Sequence, residues 1–215
     1  MKFADKKEIV QFSIQRSGST LIYQVLKELY PDKGVRKNHD WKTRYNELPA
    51  VCTYRDFRDV AASSWRTAHD VSAQAVLSGK RRMTSTEVVK WARFGCDLSN
   101  RYLPHFKKNG SGKIIWLQYE KFYNDFDWLL DRLEEFFDDK YETAKRDYIA
   151  KKCSRAQNEK IAKQMLTFKK YDDDSFIHGN HIMTGEPGSW KLIVPASHHK
   201  VFNDTLKPSL EKWGY

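Results

Sequence analysis

Five residues near the start of the chain, Arg16, Ser17, Gly18, Ser19 and Thr20, have the types and spacing of an anion-binding turn. A helix beginning here leaves its first N–H groups without intrahelical partners. Those groups, three hydroxyls and the adjacent guanidinium suit a phosphate or sulfate at the positive end of the helix dipole. Gly18 lets the backbone bend there. The turn is not a Walker A loop, which requires lysine after its second glycine, because Ser19 follows Gly18. A second anion-binding pair stands further on. Arg55 ends an apolar run, and Ser63 lies eight residues later, two turns into the helix that follows. A guanidinium and a hydroxyl so spaced can grip one phosphate from two sides.

The elements that must position these residues are legible from periodicity. Ile9, Val10, Phe12 and Ile14 make residues 8–14 an interior strand, and Leu21, Ile22, Val25, Leu26 and Leu29 mark one face of the helix after the turn. Residues 31–34 read as a turn, leading into a short strand that ends at His39. Residues 48–54 form another interior strand, and Asp56 caps a helix running to about His69. Residues 71–83, with the basic run 80–82, read as an exposed loop. Thr84 and Glu87 form a capping box that opens a long helix, broken at 109–112. A strand over 113–119 and an amphipathic helix over 126–137 follow. Residues 141–170 are helical and charged, a solvated face. A long loop over 171–188 precedes a closing helix at about 195–213. Strands alternating with helices predict one α/β domain over 1–215, with a mostly parallel central sheet flanked by helices on both faces. Ligands on such sheets sit at the carboxyl ends of strands, where Arg16, His39 and Arg55 emerge.

The first turn resembles the 5′-phosphosulfate loop of the sulfotransferases, R/K-S-G-[S/T]-T after the first strand. Residues 54–65 resemble the family's 3′-phosphate motif, R-[N/D]-P-x-D-V-x-x-S, with Arg55, Asp59, Val60 and Ser63 in place and Phe57 where proline is usual. Tyr119 lies in a segment similar to the family strand ending in Y-E-[D/K], whose tyrosine sits near the adenine. Gly185, Glu186, Pro187 and Gly188, followed by Trp190 and Lys191, resemble the late G-x-x-G-x-W-[K/R] loop over the 3′-phosphate. Two further departures stand beside Phe57: Met183 and Thr184 occupy the place where a basic pair often precedes that loop, and Leu21 replaces a tryptophan that stacks on adenine.

The resemblance runs from residue 8 to the final helix and implies a P-loop-like sulfotransferase architecture. It implies a donor, 3′-phosphoadenosine 5′-phosphosulfate (PAPS), its product adenosine 3′,5′-bisphosphate, and in-line transfer without a metal to a small-molecule or glycan hydroxyl or amine. Arg16, Ser17, Gly18, Ser19 and Thr20 would hold the 5′ end, and Arg55, Ser63, Tyr119 and 185–188 the rest of the nucleotide. Lys37 and His39 match the K-T-H segment of cytosolic members, which implies His39 as general base, with Lys37 and Arg16 beside it. Asp40 is the alternative base, because some carbohydrate-acting members use a carboxylate.

Composition bounds these readings. The net charge of +10 from 38 basic and 28 acidic residues favours an anionic partner. A nucleic-acid-binding module is one rival, but the charge is spread along the chain and no recognition motif accompanies it. A small nucleotide kinase is the other, disfavoured by the missing Walker lysine. Cys52, Cys96 and Cys153 have no metal or redox spacing and point to reduced thiols in the cytoplasm. No apolar run reaches the roughly 20 residues of a membrane span, and the first residues lack a signal-peptide core.

Overall fold

The computed structural model describes residues 3–42, 45–108, 113–165, 167–179 and 182–215. The expected helix break at 109–112 lies outside them, as does His181 of the late loop. The chain groups into two compact units, each assembled from separated stretches: Met1–Tyr54, Lys108–Ile161 and Asp173–Phe176 in the first, and Arg55–Lys107, Ala162–Asp172 and Ile177–Tyr215 in the second.

The first unit carries a four-stranded sheet of β1 (Glu8–Phe12), β2 (Gly34–Asn38), β3 (Ala50–Tyr54) and β4 (Ile114–Gln118). The order is β2-β1-β3-β4, and every pairing is parallel. Helices α1 (Ser19–Leu29), α5 (Tyr119–Phe122), α6 (Phe126–Phe137), α7 (Thr143–Lys152) and α8 (Arg155–Gln164) belong to this unit, with the last residues of α8 leaving it. Ile9, Val51 and Leu117 point from the sheet into a core filled by Ile22, Val25, Leu26 and Leu29 of α1 and by Leu129, Leu130, Leu133 and Phe137 of α6. Each such side chain contributes about 1.5–3 kcal/mol by leaving water, so the apolar stripe of α1 fixes how the helix, and the turn before it, sits on the strands.

Two expected boundaries move. Strand β1 ends at Phe12 rather than residue 14, because the next N–H of β3, on Thr53, bonds the Ser13 hydroxyl at 2.9 Å instead of a backbone carbonyl. Residues 141–170 hold two helices, α7 and α8, separated where the Asn158 side chain bonds the Cys153 carbonyl at 3.2 Å and the Gln24 amide at 3.1 Å. A competing side-chain bond of this kind ends a helix that composition alone would continue.

The second unit is helical: α2 (Phe57–Ala68), α3 (Ala73–Leu77), α4 (Ser85–Phe106), α9 (Trp190–Ile193) and α10 (His199–Lys212). Asp56 caps α2, accepting from the Arg58 N–H at 2.8 Å, and the Thr84–Glu87 capping box opens α4. Helix α3 lies inside the stretch expected to be loop. The closing helix is preceded by a short 3-10 turn over Ala196–His198. Phe57, where the resemblance led us to expect proline, is fully buried and packs on Trp213 with ring centres 5.3 Å apart. It anchors the first turn of α2 by burial where proline would do so by a fixed dihedral.

Candidate functional site

Parallel pairing puts the carboxyl ends of β1, β2 and β3 on one edge of the sheet. The strand order reverses between β1 and β3, the switch point at which open α/β sheets hold ligands. The turn over 13–18 leaves β1 at this point and is tied to β3. The buried Ser17 hydroxyl lies 2.5 Å from the Ile14 carbonyl, to which it donates, and 2.6 Å from Thr53 Oγ1. Ser17 is therefore a brace between the strands. The N-cap of α1 is Gly18, and no side chain caps this end. An uncapped start keeps the amide dipoles of the first turn available to an anion.

Gly18 is required twice over. Its φ of 87° lies in the left-handed region, and a Cβ there would stand 2.8 Å from the Tyr119 ring and 2.9 Å from that of Phe122. Tyr119, at the start of α5, thus packs against the turn itself and stacks on Tyr123 at 5.7 Å. Arg16 is also left-handed, at φ 67°, a conformation that costs a residue with a side chain about 1–2 kcal/mol and recurs where ligands are clamped. Leu21 is partly buried against the α1 core, so its side chain serves packing.

Strand β2 delivers Lys37 and, directly after it, His39. The Lys37 ammonium donates to the Thr20 hydroxyl at 2.6 Å and lies 5.4 Å from the centre of the Phe176 ring. Burial, with the nearby Arg16 charge, pulls its pKa down to about 8. Nδ1 of His39 lies 2.7 Å from the Ser13 carbonyl oxygen. A carbonyl only accepts, so the proton of the neutral ring belongs on Nδ1 and the lone pair on Nε2. Burial lowers the His39 pKa; the charges of Lys37 and Arg16 add to that, while the Ser13 bond and Asp40 oppose it. Asp40 is exposed, and its N–H bonds the Asn38 side chain at 2.9 Å. This edge therefore brings together Arg16, Ser17, Gly18, Ser19, Thr20, Lys37, His39 and Tyr119.

In the second unit Arg55 and the late loop form another group. The Arg55 guanidinium donates to the Glu186 carbonyl at 2.9 Å and pairs with Asp59 at 3.2 Å. Asp59 is the residue whose role the sequence did not disclose. Its fully buried carboxylate accepts from the Gly188 N–H at 2.8 Å, the Trp190 N–H at 2.8 Å and the Ser189 hydroxyl at 3.2 Å. Its spacing of four from Arg55, at the head of a helix, was the available signal. Gly185 and Gly188 have φ of 71° and 80°, which bend the loop, while Glu186 and Pro187 are exposed at its tip. Ser63 lies one turn beyond Asp59 on α2, half-buried. Arg58 chelates Asp56 and stacks over Trp190 at 5.4 Å. Thr184, in place of a basic residue, accepts from the Glu186 N–H at 3.3 Å.

A parallel sheet with an uncapped, glycine-bearing turn between its first strand and first helix has the arrangement of mononucleotide-type α/β architectures. Solved structures narrow it. The chain superposes on mouse sulfotransferase SULT7A1 complexed with PAP with a TM-score of 0.62 at 13% identity, covering 96% of this chain and 84% of that one. It superposes on retinol dehydratase in complex with androsterone and the inactive cofactor PAP with a TM-score of 0.63 at 12% identity, covering 95% and 81%. The same enzyme in a complex with retinol and PAP gives 0.59 at 14% identity, covering 95% and 81%. The chain has the sulfotransferase fold. No family sequence model matches it, and no curated protein matches it by sequence. Among the described residues no helix is long and apolar enough to cross a membrane, and no cluster of three or more His, Cys, Asp or Glu side chains could hold a metal ion.

Proposed function

We propose that this chain transfers a sulfuryl group from PAPS to a hydroxyl or amine of a small-molecule or glycan acceptor. The observation that carries the reading is the uncapped, glycine-bearing turn at the β1–α1 junction of this fold, with Arg16 in it and Lys37 and His39 at the neighbouring strand end. The donor supplies an activated sulfur whose bond to the 5′-phosphate breaks as the acceptor oxygen attacks. Arg16, the Lys37 ammonium and the first N–H groups of α1 hold that phosphate and offset its growing charge. Nε2 of His39 takes the acceptor's proton, and the Ser13 carbonyl keeps the ring in the tautomer that can do so. Arg55, Ser63 and the 185–188 loop bind the 3′-phosphate, and Tyr119 shapes the turn that receives the 5′ end. The printed ligands of the structural neighbours, androsterone and retinol, favour small alcohols as the first acceptors to try. The free thiols of Cys52, Cys96 and Cys153 support a reducing, cytoplasmic setting. The experiment is incubation with donor labelled on its sulfuryl group, and in parallel with ATP labelled on its γ-phosphoryl group, against a panel of alcohols, phenols, amines and sugars. Labelled product that requires the chain supports the reading; label transferred only from ATP in its phosphoryl form overturns it.

A further inference from the structure

We infer that Asp59 is the positioning residue of the 3′-phosphate group: through one buried carboxylate it sets both Arg55 and the late loop in the arrangement that reads the phosphate. This inference rests on the proposed function and names what holds that group in place.

Four donors converge on Asp59. They are the Arg55 guanidinium from one turn earlier on the chain, the Gly188 and Trp190 N–H groups at the start of α9, and the Ser189 hydroxyl between them. A carboxylate with no exposed surface persists only when its charge is met this fully. The consequence is geometric. The Gly188 and Trp190 N–H groups already have an acceptor, so the loop serves a ligand as a braced backbone and not through these two donors. Nη2 of Arg55 is shared between the Asp59 carboxylate and the Glu186 carbonyl, which ties the guanidinium to the loop through one nitrogen. Such bracing substitutes for side-chain charge: Met183 and Thr184 supply none at the place where the resemblance led us to expect a basic pair. With no cation from that pair, recognition depends the more on how well Arg55 is aimed. Asp59 does not touch the ligand in this account; it acts through Arg55 and the loop.

The test uses the full chain and two ligands that differ only in the 3′-phosphate, adenosine 3′,5′-bisphosphate and AMP, titrated by calorimetry. Asp59→Asn keeps the size of the side chain but removes the charge and one acceptor oxygen. Glu87→Gln is the comparison, since Glu87 also accepts a backbone N–H at a helix start, from Thr84 at 2.8 Å, and lies outside both candidate groups. Asp59→Asn should weaken bisphosphate binding by roughly 10–100-fold, the worth of charged hydrogen bonds, and change AMP binding by less than about threefold. Amide exchange at Gly188 and Trp190 should accelerate in the same variant. Glu87→Gln should lower the melting temperature yet keep the full preference for the bisphosphate. A wild type that prefers the bisphosphate beside an Asp59→Asn that prefers it equally overturns this inference alone. Equal weakening toward both ligands also overturns it, because a merely structural residue would act so. A wild type with no preference overturns the 3′-phosphate reading and this inference together.

Discussion

The Lys37 ammonium, delivered by β2, donates to the hydroxyl of Thr20 in the first turn of α1 at 2.6 Å. One strand end is thereby fastened to the helix start that follows its neighbour, and a half-buried cation is held at the turn proposed for the 5′-phosphate. Its pKa, drawn down to about 8 by burial and by Arg16, is the price of that placement.

This sets a pH profile. In the proposed reaction Lys37 works protonated and His39 works neutral. Turnover should therefore fall as pH rises through about 8, the Lys37 pKa. Because the His39 pKa lies below the ordinary histidine value, the acid limb should begin below about 6.5. Stability runs the other way at the basic end. Between about 8 and the unfolded lysine value of about 10.4 the unfolded chain binds more protons, so the Lys37 contribution rises with pH there. Rate and melting profiles of the wild type beside Lys37→Met check both signs; a basic limb that persists unchanged in the variant counts against Lys37.

His39→Ala should fold, bind nucleotide and lose about 10²–10⁴ in turnover, the usual worth of a positioned proton acceptor. The loss should shrink for acidic phenols, which part with the proton unaided. Asp40→Asn, altering an exposed side chain, should change the rate little. The two variants are compared on one phenol and one aliphatic alcohol. A full rate for His39→Ala and a collapsed rate for Asp40→Asn would transfer the role to the carboxylate.

Arg16 and Arg55 should fail differently. Arg16→Ala should lower turnover by roughly 10²–10³, since charge develops at the 5′ end as the bond breaks. Replacing Arg55 by alanine strands the buried Asp59 carboxylate, at a cost of about 3–5 kcal/mol, so Arg55→Lys is the informative change. It should raise the donor's KM and spare turnover. Steady-state kinetics separate the two; a turnover defect in Arg55→Lys with normal donor affinity contradicts the assignment.

Much of this was legible in the chain. The apolar periodicity of 8–14 and 21–29 located β1, two residues too long, and α1, and Asp56, Thr84 and Glu87 announced their helices, because capping is local chemistry. Where reading stopped, partners were distant. Ser17 reads locally as one more hydroxyl of the turn, yet it bonds Thr53, 36 residues away, a contact set by the pairing of β1 and β3. Asp59 takes its donors from residues about 130 positions later, and no local pattern encodes which loop will arrive. Phe57 departs from the motif, and the partner that buries it, Trp213, lies at the far end of the chain.

Gly18→Ala tests whether the first turn is as tightly built as its contacts imply. A methyl group would meet the Tyr119 and Phe122 rings within 3 Å on a left-handed backbone, so the variant should lose about 1–3 kcal/mol in denaturant unfolding. Whatever folds should bind nucleotide poorly. An unaltered midpoint and normal binding would mean that the turn tolerates another geometry.

The most direct test of the central claim is the thermal shift of the wild-type chain with adenosine 3′,5′-bisphosphate, set beside AMP and beside ATP with magnesium. At 100 times its dissociation constant the bisphosphate should stabilise the fold by about 2.7 kcal/mol, a rise of roughly 5–10 °C for a chain of this size. AMP at the same concentration should give a small fraction of that rise, and ATP with magnesium no more than AMP. An equal or larger shift with ATP and magnesium, or none with the bisphosphate, would contradict the account.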